Sequence, residues 1–257
     1  SQSYHPNTAV LSTELTDRYG AILRIIDFCP RFRQYDRTYR PVMIIRRVEV
    51  VRGHPVIRTR LRPVSGWDAS APSTTRGSNH VRFLRHDQVL RVTTDAPLTH
   101  VLDETPFVVD ATMTFILGPD ESVKESVEAM GRRFLEQTEM YWRDWTRSLA
   151  IPFDWQQAVI RAAITLKLSA YEDTGAVIAA ATTSIPEAAD SGRNWDYRYC
   201  WLRDAYFTVH ALNRLGATRT MEGVLRYIIN LAAARGDHRL QPLSGIGGAR
   251  RLEATTS

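Results

Sequence analysis

The chain has 257 residues, 44% of them hydrophobic, enough to bury the core of one large domain or two moderate ones. Its apolar runs are far shorter than the roughly 20 residues of a membrane helix, and its start lacks the basic, apolar and small-residue order of an export signal, so no membrane partner is expected. The net charge of +5 comes from 33 basic and 28 acidic residues, with the arginines scattered, which argues against a nucleic-acid partner because tracking phosphates needs a concentrated basic face.

The first half reads as strands, because short β-branched and aromatic runs recur between turn signals. They are expected over residues 9–13, 21–28, 42–51, 56–63, 89–94 and 107–117, with a turn at Gly53. Residues 65–78, rich in Ser, Gly, Ala and Pro, read as a loop. Such strands with polar turns predict an antiparallel sandwich. After Gly118 the texture changes. Pro119-Asp120-Glu121-Ser122 predicts an acidic cap and first turn for an amphipathic helix reaching about Leu149, in which Tyr141, Trp142 and Trp145 serve as packing anchors. A second helix is expected over residues 154–171, with Trp155, Val159, Ala162, Ile164, Leu166 and Leu168 supplying its buried surface. Further helices are expected over residues 201–215 and 218–234, parted by a stop at Gly216. Consecutive helices with short connections predict an all-α second domain. The resulting division is residues 1–118, a linker helix over 119–150, and 151–257. Cys29 and Cys200 lie far apart, outside any CxxC or Cys/His cluster, and are expected to be reduced, buried thiols, as befits a cytoplasmic protein.

The chemistry-bearing stretch is Arg193-Asn194-Trp195-Asp196-Tyr197-Arg198-Tyr199-Cys200-Trp201-Leu202-Arg203-Asp204-Ala205, where aromatic and ionic groups alternate before a helix. A neutral sugar needs this combination: its C–H faces stack on rings, and its hydroxyls take paired bonds from charged groups. By residue type alone, a structural cap with a buried ion pair explains W-x-R-D equally well. Among the local acids, Glu187 and Asp190 flank this stretch, and Asp196 is expected to hold the loop by accepting backbone bonds. The seven histidines show no zinc spacing, and His210, on an apolar helix face, is expected to be packed. No GxSxG elbow or P-loop is present. Neither a metal nor a cofactor is expected.

Residues 193–205 closely resemble the signature of the glucoamylase and trehalase-like enzymes of glycoside hydrolase family 15, whose prokaryotic members carry a nearly identical R-x-W-D-Y-R-Y-C-W-L-R-D-A run. The resemblance extends to Thr174-Gly175-Ala176 and Thr182-Thr183-Ser184-Ile185-Pro186-Glu187, and to Leu240-Gln241-Pro242-Leu243 with Gly245-Ile246-Gly247. Upstream, residues 4–11 and Asp27-Phe28-Cys29-Pro30 are similar to the family's N-terminal β-sandwich. The chain departs from the pattern at Ala181 (usually proline), Ser244 (usually aromatic, so that serine would widen the pocket or weaken stacking) and Ala249 (often acidic).

The resemblance implies an α+β multidomain chain, an antiparallel β-sandwich followed by the first helices of an (α/α)6 barrel. It implies an exo-acting inverting α-glucoside hydrolase, of glucoamylase or trehalase type, that releases glucose from maltose, trehalose or longer α-glucans. In the innermost subsite Trp201 would pack on the sugar, Arg203 and Asp204 would bind its distal hydroxyls, and Tyr197 would stand beside the scissile bond. The family takes its general acid and base from barrel loops later than anything present, so both are expected beyond Ser257 and the chain is expected to be partial. A non-catalytic carbohydrate-binding or regulatory fragment is the alternative. With so few barrel helices, Ile160, Ile164, Leu212, Val224 and Ile228 are expected to lack partners, to be covered by further chain or by a homo-oligomer.

Overall fold

The computed structural model describes residues 1–64, 70–84, 88–181, 188–191, 193–234 and 241–248. The chain divides into two compact units, Ser1–Asp144 and Trp145–Ser257. In the first, the elements run β1 (Gln2–Tyr4), β2 (Leu11–Thr16), β3 (Ile22–Phe28), β4 (Phe32–Gln34), β5 (Arg37–Tyr39), β6 (Ile44–Arg52), β7 (Val56–Ile57), β8 (Ser73–Arg76), β9 (His80–Leu84), β10 (Val89–Thr94), α1 (Leu98–Leu102), β11 (Phe107–Val108) and β12 (Met113–Pro119). Helix α2 (Val127–Arg147) follows.

Eight strands form one sheet in the order β1-β2-β3-β6-β12-β10-β9-β8, and the pairings are antiparallel. The expected N-terminal antiparallel architecture is therefore present, and β-branched residues in alternation give the sheet two apolar faces. On one face Ile26, Phe28, Ile45 and Ile116 pack with Val10, Val127 and Phe134, so α2 covers it. On the other, Leu23, Val48 and Met113 pack with Val101, Phe107 and Val109. Trp142 is fully buried, as an anchor should be, and Arg31 lies over its ring and that of Tyr141 at 5.7 and 5.2 Å.

Several expectations need correction. Ser73–Arg76, inside the stretch read as a loop, is the outer strand β8, exposed throughout. An edge strand with no core face lacks the apolar alternation that marks strands in sequence. The run over 107–117 is interrupted, and β12 continues to Pro119, so α2 begins later than expected. Asp120 is engaged by Arg82 and Arg91. The helix is instead capped by Ser126, whose Oγ accepts the Ala129 amide at 3.4 Å. Cys29 is exposed, while Cys200 is buried.

The second unit contains α3 (Gln156–Leu168), β13 (Ala170–Tyr171), β14 (Ala176–Val177), β15 (Cys200–Trp201), α4 (Leu202–Arg214), α5 (Thr218–Ala233) and β16 (Leu243–Ser244). Trp155 precedes α3 with φ +60° and is 82% exposed, so it supplies none of that helix's buried surface. Gly216 ends α4 as expected: at φ +80° it lets the Gly216 and Ala217 amides fold back onto the Asn213 and Leu212 carbonyls. Leu212 and Val224 are buried in clusters of this unit rather than unpartnered, Ile164 is buried, and Ile160 and Ile228 are half-buried. The exposed large apolar side chains on these helices are instead Leu168, which was expected to be buried, and Tyr206, Phe207, Leu225 and Ile229. No helix among the described residues is long and apolar enough to cross a membrane.

Candidate functional site

The segment that carries the signature pairs with β16. Two backbone pairings make the junction: Cys200 opposes Ser244, and Trp201 opposes Leu243. The Leu202 amide also donates to the Pro242 carbonyl at 3.1 Å, which fixes the start of α4 against the same strand. On the other side of the segment, the Ala179 and Ala180 amides donate to the carbonyls of Tyr199 and Tyr197 at 3.1 and 2.9 Å.

This junction leaves an open cleft of about 360 Å³, lined by Asp196, Arg198, Tyr199, Gly245, Ile246 and Gly247. Asp196 organises one wall. Its carboxylate accepts Arg198 in a paired arrangement, Nη2 to Oδ2 at 2.7 Å and Nε to Oδ1 at 3.0 Å, and also takes the Arg198 backbone amide at 2.9 Å. Its carbonyl accepts the Trp201 indole N–H at 3.4 Å. The bonds from Arg198 hold the Asp196 carboxyl below the usual carboxylate range, against the opposing effect of burial. An acid held ionised in this way is a poor proton donor and a good brace, and Asp196 does accept backbone as the sequence predicts.

The four residues predicted to bind sugar occupy neighbouring positions, but none of them is among the residues lining the cleft. Trp201 is half-buried, stands edge-on to Trp195 at 6.3 Å and 89°, and has the Arg203 guanidinium 6.0 Å from its ring centre. Arg203 donates to Asp204 at 3.2 Å, with side chains 69% and 29% exposed. That exposure removes the buried-ion-pair explanation of W-x-R-D, since a surface pair contributes only about 0–1 kcal/mol. Tyr197 is half-buried. Asp190, with φ +59°, is exposed. His210 is exposed rather than packed and stacks on Tyr206 at 6.0 Å. Glu187, with the rest of the segment from Thr182, as well as Leu240 and Ala249, lies outside the described residues. Among the described residues no group of His, Cys, Asp and Glu could hold a metal ion.

Behind the cleft lies an apolar cluster of Ala176, Val177, Cys200, Ala205, Val224, Tyr227 and Leu231. Ser244 belongs to this side: it is 2% exposed, and it and Cys200 lie against the Tyr227 hydroxyl. It therefore neither widens a pocket nor replaces a stacking ring. The reason is the two-residue period of a strand, which turns Ser244 inward beside its partner Cys200. Burial, then Cys200, pushes the Tyr227 phenol up to about 12, and burial raises the Cys200 thiol, so both stay protonated near neutrality. Sequence reasoning missed Tyr227, and it named Thr174 only within the Thr174-Gly175-Ala176 resemblance, with no role. The first is a hydroxyl set in the buried stripe Val224, Tyr227, Leu231 of α5, a pattern visible in the sequence.

Residues 154–236 match the model of glycosyl hydrolases family 15. The chain is 37% identical over 137 residues to a trehalase of Mycobacterium tuberculosis, covering 52% of this chain and 19% of that protein. It is 26% identical over 257 residues to a trehalase of Thermoplasma volcanium, 98% of this chain and 41% of the relative. A Thermoplasma acidophilum trehalase is 29% identical over 223 residues, 85% and 38% of the two chains. The chain thus spans less than half the length of these relatives. No solved structure matches.

Proposed function

We propose that the chain, whose residues 154–236 match glycosyl hydrolases family 15, forms part of an exo-acting inverting α-glucoside hydrolase of trehalase type, in the cytoplasm. In this reading its helices α3 to α5 begin an (α/α)6 barrel, after a β-domain over residues 1–118 and a linker segment over 119–150 that holds α2 (Val127–Arg147). The observation that carries the proposal is the wall built by Asp196: one residue braces Arg198 at the cleft and receives the indole N–H of Trp201. Aromatic faces and paired charged donors side by side suit a neutral sugar. Trp201 packs against the glucose ring, Arg203 and Asp204 bind its distal hydroxyls, and Tyr197 stands beside the scissile bond.

Inverting hydrolysis needs a protonated carboxylic acid at the glycosidic oxygen and an ionised carboxylate activating water on the opposite face, the two about 6.5–9.5 Å apart. The Asp196 carboxyl, held low by its bonds from Arg198, is a poor acid, and with its lone pairs on Arg198 it is also a weak base, so neither role falls to it and both groups are sought elsewhere in the whole enzyme. Trehalose is the favoured substrate because the relatives are named trehalases. The test is titration of the purified chain with trehalose, maltose and glucose, followed by tryptophan fluorescence, beside a glucose-release assay. Saturable quenching without glucose release is expected. Glucose release by this polypeptide alone overturns the placement of acid and base, and no saturable change with any of the three sugars sinks the subsite.

A further inference from the structure

Besides Asp196, Arg198 and Tyr199, the cleft is lined by the stretch after β16. That stretch consists of Gly245, Ile246 and Gly247, two of them without a side chain to fix their conformation. Two hydroxyls from separate elements reach this stretch from behind. Tyr227, on α5 and 3% exposed, donates from its phenol to the Gly245 carbonyl at 2.8 Å. Thr174, in the turn between β13 and β14, donates from Oγ1 to the next carbonyl, that of Ile246, at 2.7 Å. The Gly248 amide closes the turn onto the Gly245 carbonyl at 2.9 Å.

A peptide unit is planar and trans, so its N–H points opposite to its C=O. Holding the Gly245 and Ile246 carbonyls towards Tyr227 and Thr174 turns the amides of Ile246 and Gly247 the other way, to the side that lines the cleft. We infer that Tyr227 and Thr174 are positioning residues, whose hydroxyls fix two successive peptide planes so that the Ile246 and Gly247 amides are presented to the cleft as donors to an oxygen of a bound sugar. The sugar in this statement rests on the function proposed above; the orientation of the loop does not. The high phenol pKa keeps Tyr227 a donor throughout the working range of pH. The Thr174 hydroxyl has a second task that supports its placement, accepting the Ala176 amide at 3.3 Å.

Hydrogen exchange of the loop amides in the whole chain tests the orientation, and sugar affinity tests its use. Tyr227→Phe and Thr174→Val each remove one hydroxyl at nearly constant volume, and Thr174→Ser restores one. In the absence of sugar, exchange of the Gly248 amide, which closes the turn onto the Gly245 carbonyl, should quicken about 3- to 10-fold in the first two variants, the size of one neutral hydrogen bond, and return towards the parent rate in Thr174→Ser, while the Ile246 and Gly247 amides, open to the cleft, exchange fast in all of them. Amides in the middle of α5 should be unchanged, which separates loop release from loss of fold. Trehalose affinity should fall several-fold in Tyr227→Phe and Thr174→Val and recover in Thr174→Ser. Unchanged loop exchange in both overturns the inference, whatever the sugar result. Faster exchange with undiminished trehalose affinity overturns the donor role of the amides. If the parent chain binds no trehalose, maltose or glucose, the functional reading fails, while the exchange rates still decide whether the hydroxyls hold the loop. Should Tyr227→Phe fail to fold, Thr174→Val, at a half-buried turn, carries the same comparison.

Discussion

Replacing Gly175 by alanine should harm the second unit far more than the same change at Gly216, although both glycines have positive φ, +89° and +80°. The conformational cost alone is about 1–2 kcal/mol at either position. A Cβ at Gly216 meets nothing within 4 Å, whereas one at Gly175 overlaps the carbonyl oxygen of Gly223 on α5. Relieving that overlap means moving backbone, an overpacking cost of about 1–3 kcal/mol. The totals are about 2–5 kcal/mol for Gly175→Ala and about 1–2 kcal/mol for Gly216→Ala. At about 4–8 °C per kcal/mol for a small domain, the Gly175 variant should melt at least about 8 °C below the parent. The helical glycine in the contact should behave in the opposite way. A Cβ at Gly223 lies at an ordinary 3.4 Å from the Gly175 Cα, and alanine is favoured over glycine inside a helix by about 1 kcal/mol, so Gly223→Ala should be neutral or stabilising. Melting followed at 222 nm and by calorimetry ranks the three. Equal losses for Gly175→Ala and Gly216→Ala would refute the close approach of the turn to α5.

Leu212→Ala empties a fully buried position shared with Leu149 and Ala163 and should cost about 2–5 kcal/mol in the denaturant midpoint of the second unit. Asp196→Asn should alter the acid response of tryptophan fluorescence. Because the Asp196 pKa is depressed, its contribution is present above the unfolded carboxyl's value, about 3.9, and is lost as pH falls through the lower folded value. The parent should therefore show a change below about pH 4 that the variant lacks. In an active protein containing this chain, Arg203→Lys should lower kcat/KM about 10- to 150-fold, from the loss of a charged bond of about 1.5–3 kcal/mol. Its melting temperature should hardly move, since the Arg203–Asp204 pair is largely exposed. A large drop in melting temperature with unchanged kcat/KM would count against the subsite.

What the sequence revealed follows from where each element buries its side chains. Strands β3, β6 and β10 and helices α4 and α5 each bury an apolar face, and each lies within a few residues of its expected place. Strand β8, exposed on all four residues, carries no such imprint, nor does the cap of α2, because Asp120, expected in that cap, bonds to Arg82 and Arg91 of the sheet instead. The signature segment was legible as a site because its aromatic and ionic groups are dense and local. The stretch Gly245-Ile246-Gly247 stood out only through the family resemblance, and the grip of Tyr227 and Thr174 on its carbonyls was not legible, since a bond to backbone leaves no residue-type signal where the contact occurs.

The role of Ser244 is where reading by position and reading by geometry give opposite predictions. If its side chain faced the cleft, Ser244→Tyr would add a ring for the sugar to stack on and tighten trehalose binding at little cost. The pairing with Cys200 instead places Ser244 inside, 2% exposed and against the Tyr227 hydroxyl. A tyrosine there has no room, and overpacking of a filled core costs about 1–3 kcal/mol or more. It would also press on the phenol that holds the Gly245 carbonyl, so the loop wall should loosen. The variant is therefore expected to melt lower and to bind trehalose more weakly than the parent chain. Thermal melting and fluorescence titration of the same preparation decide the matter: an unchanged melting temperature with tighter trehalose binding would show that position 244 faces the cleft and that its inward assignment is wrong.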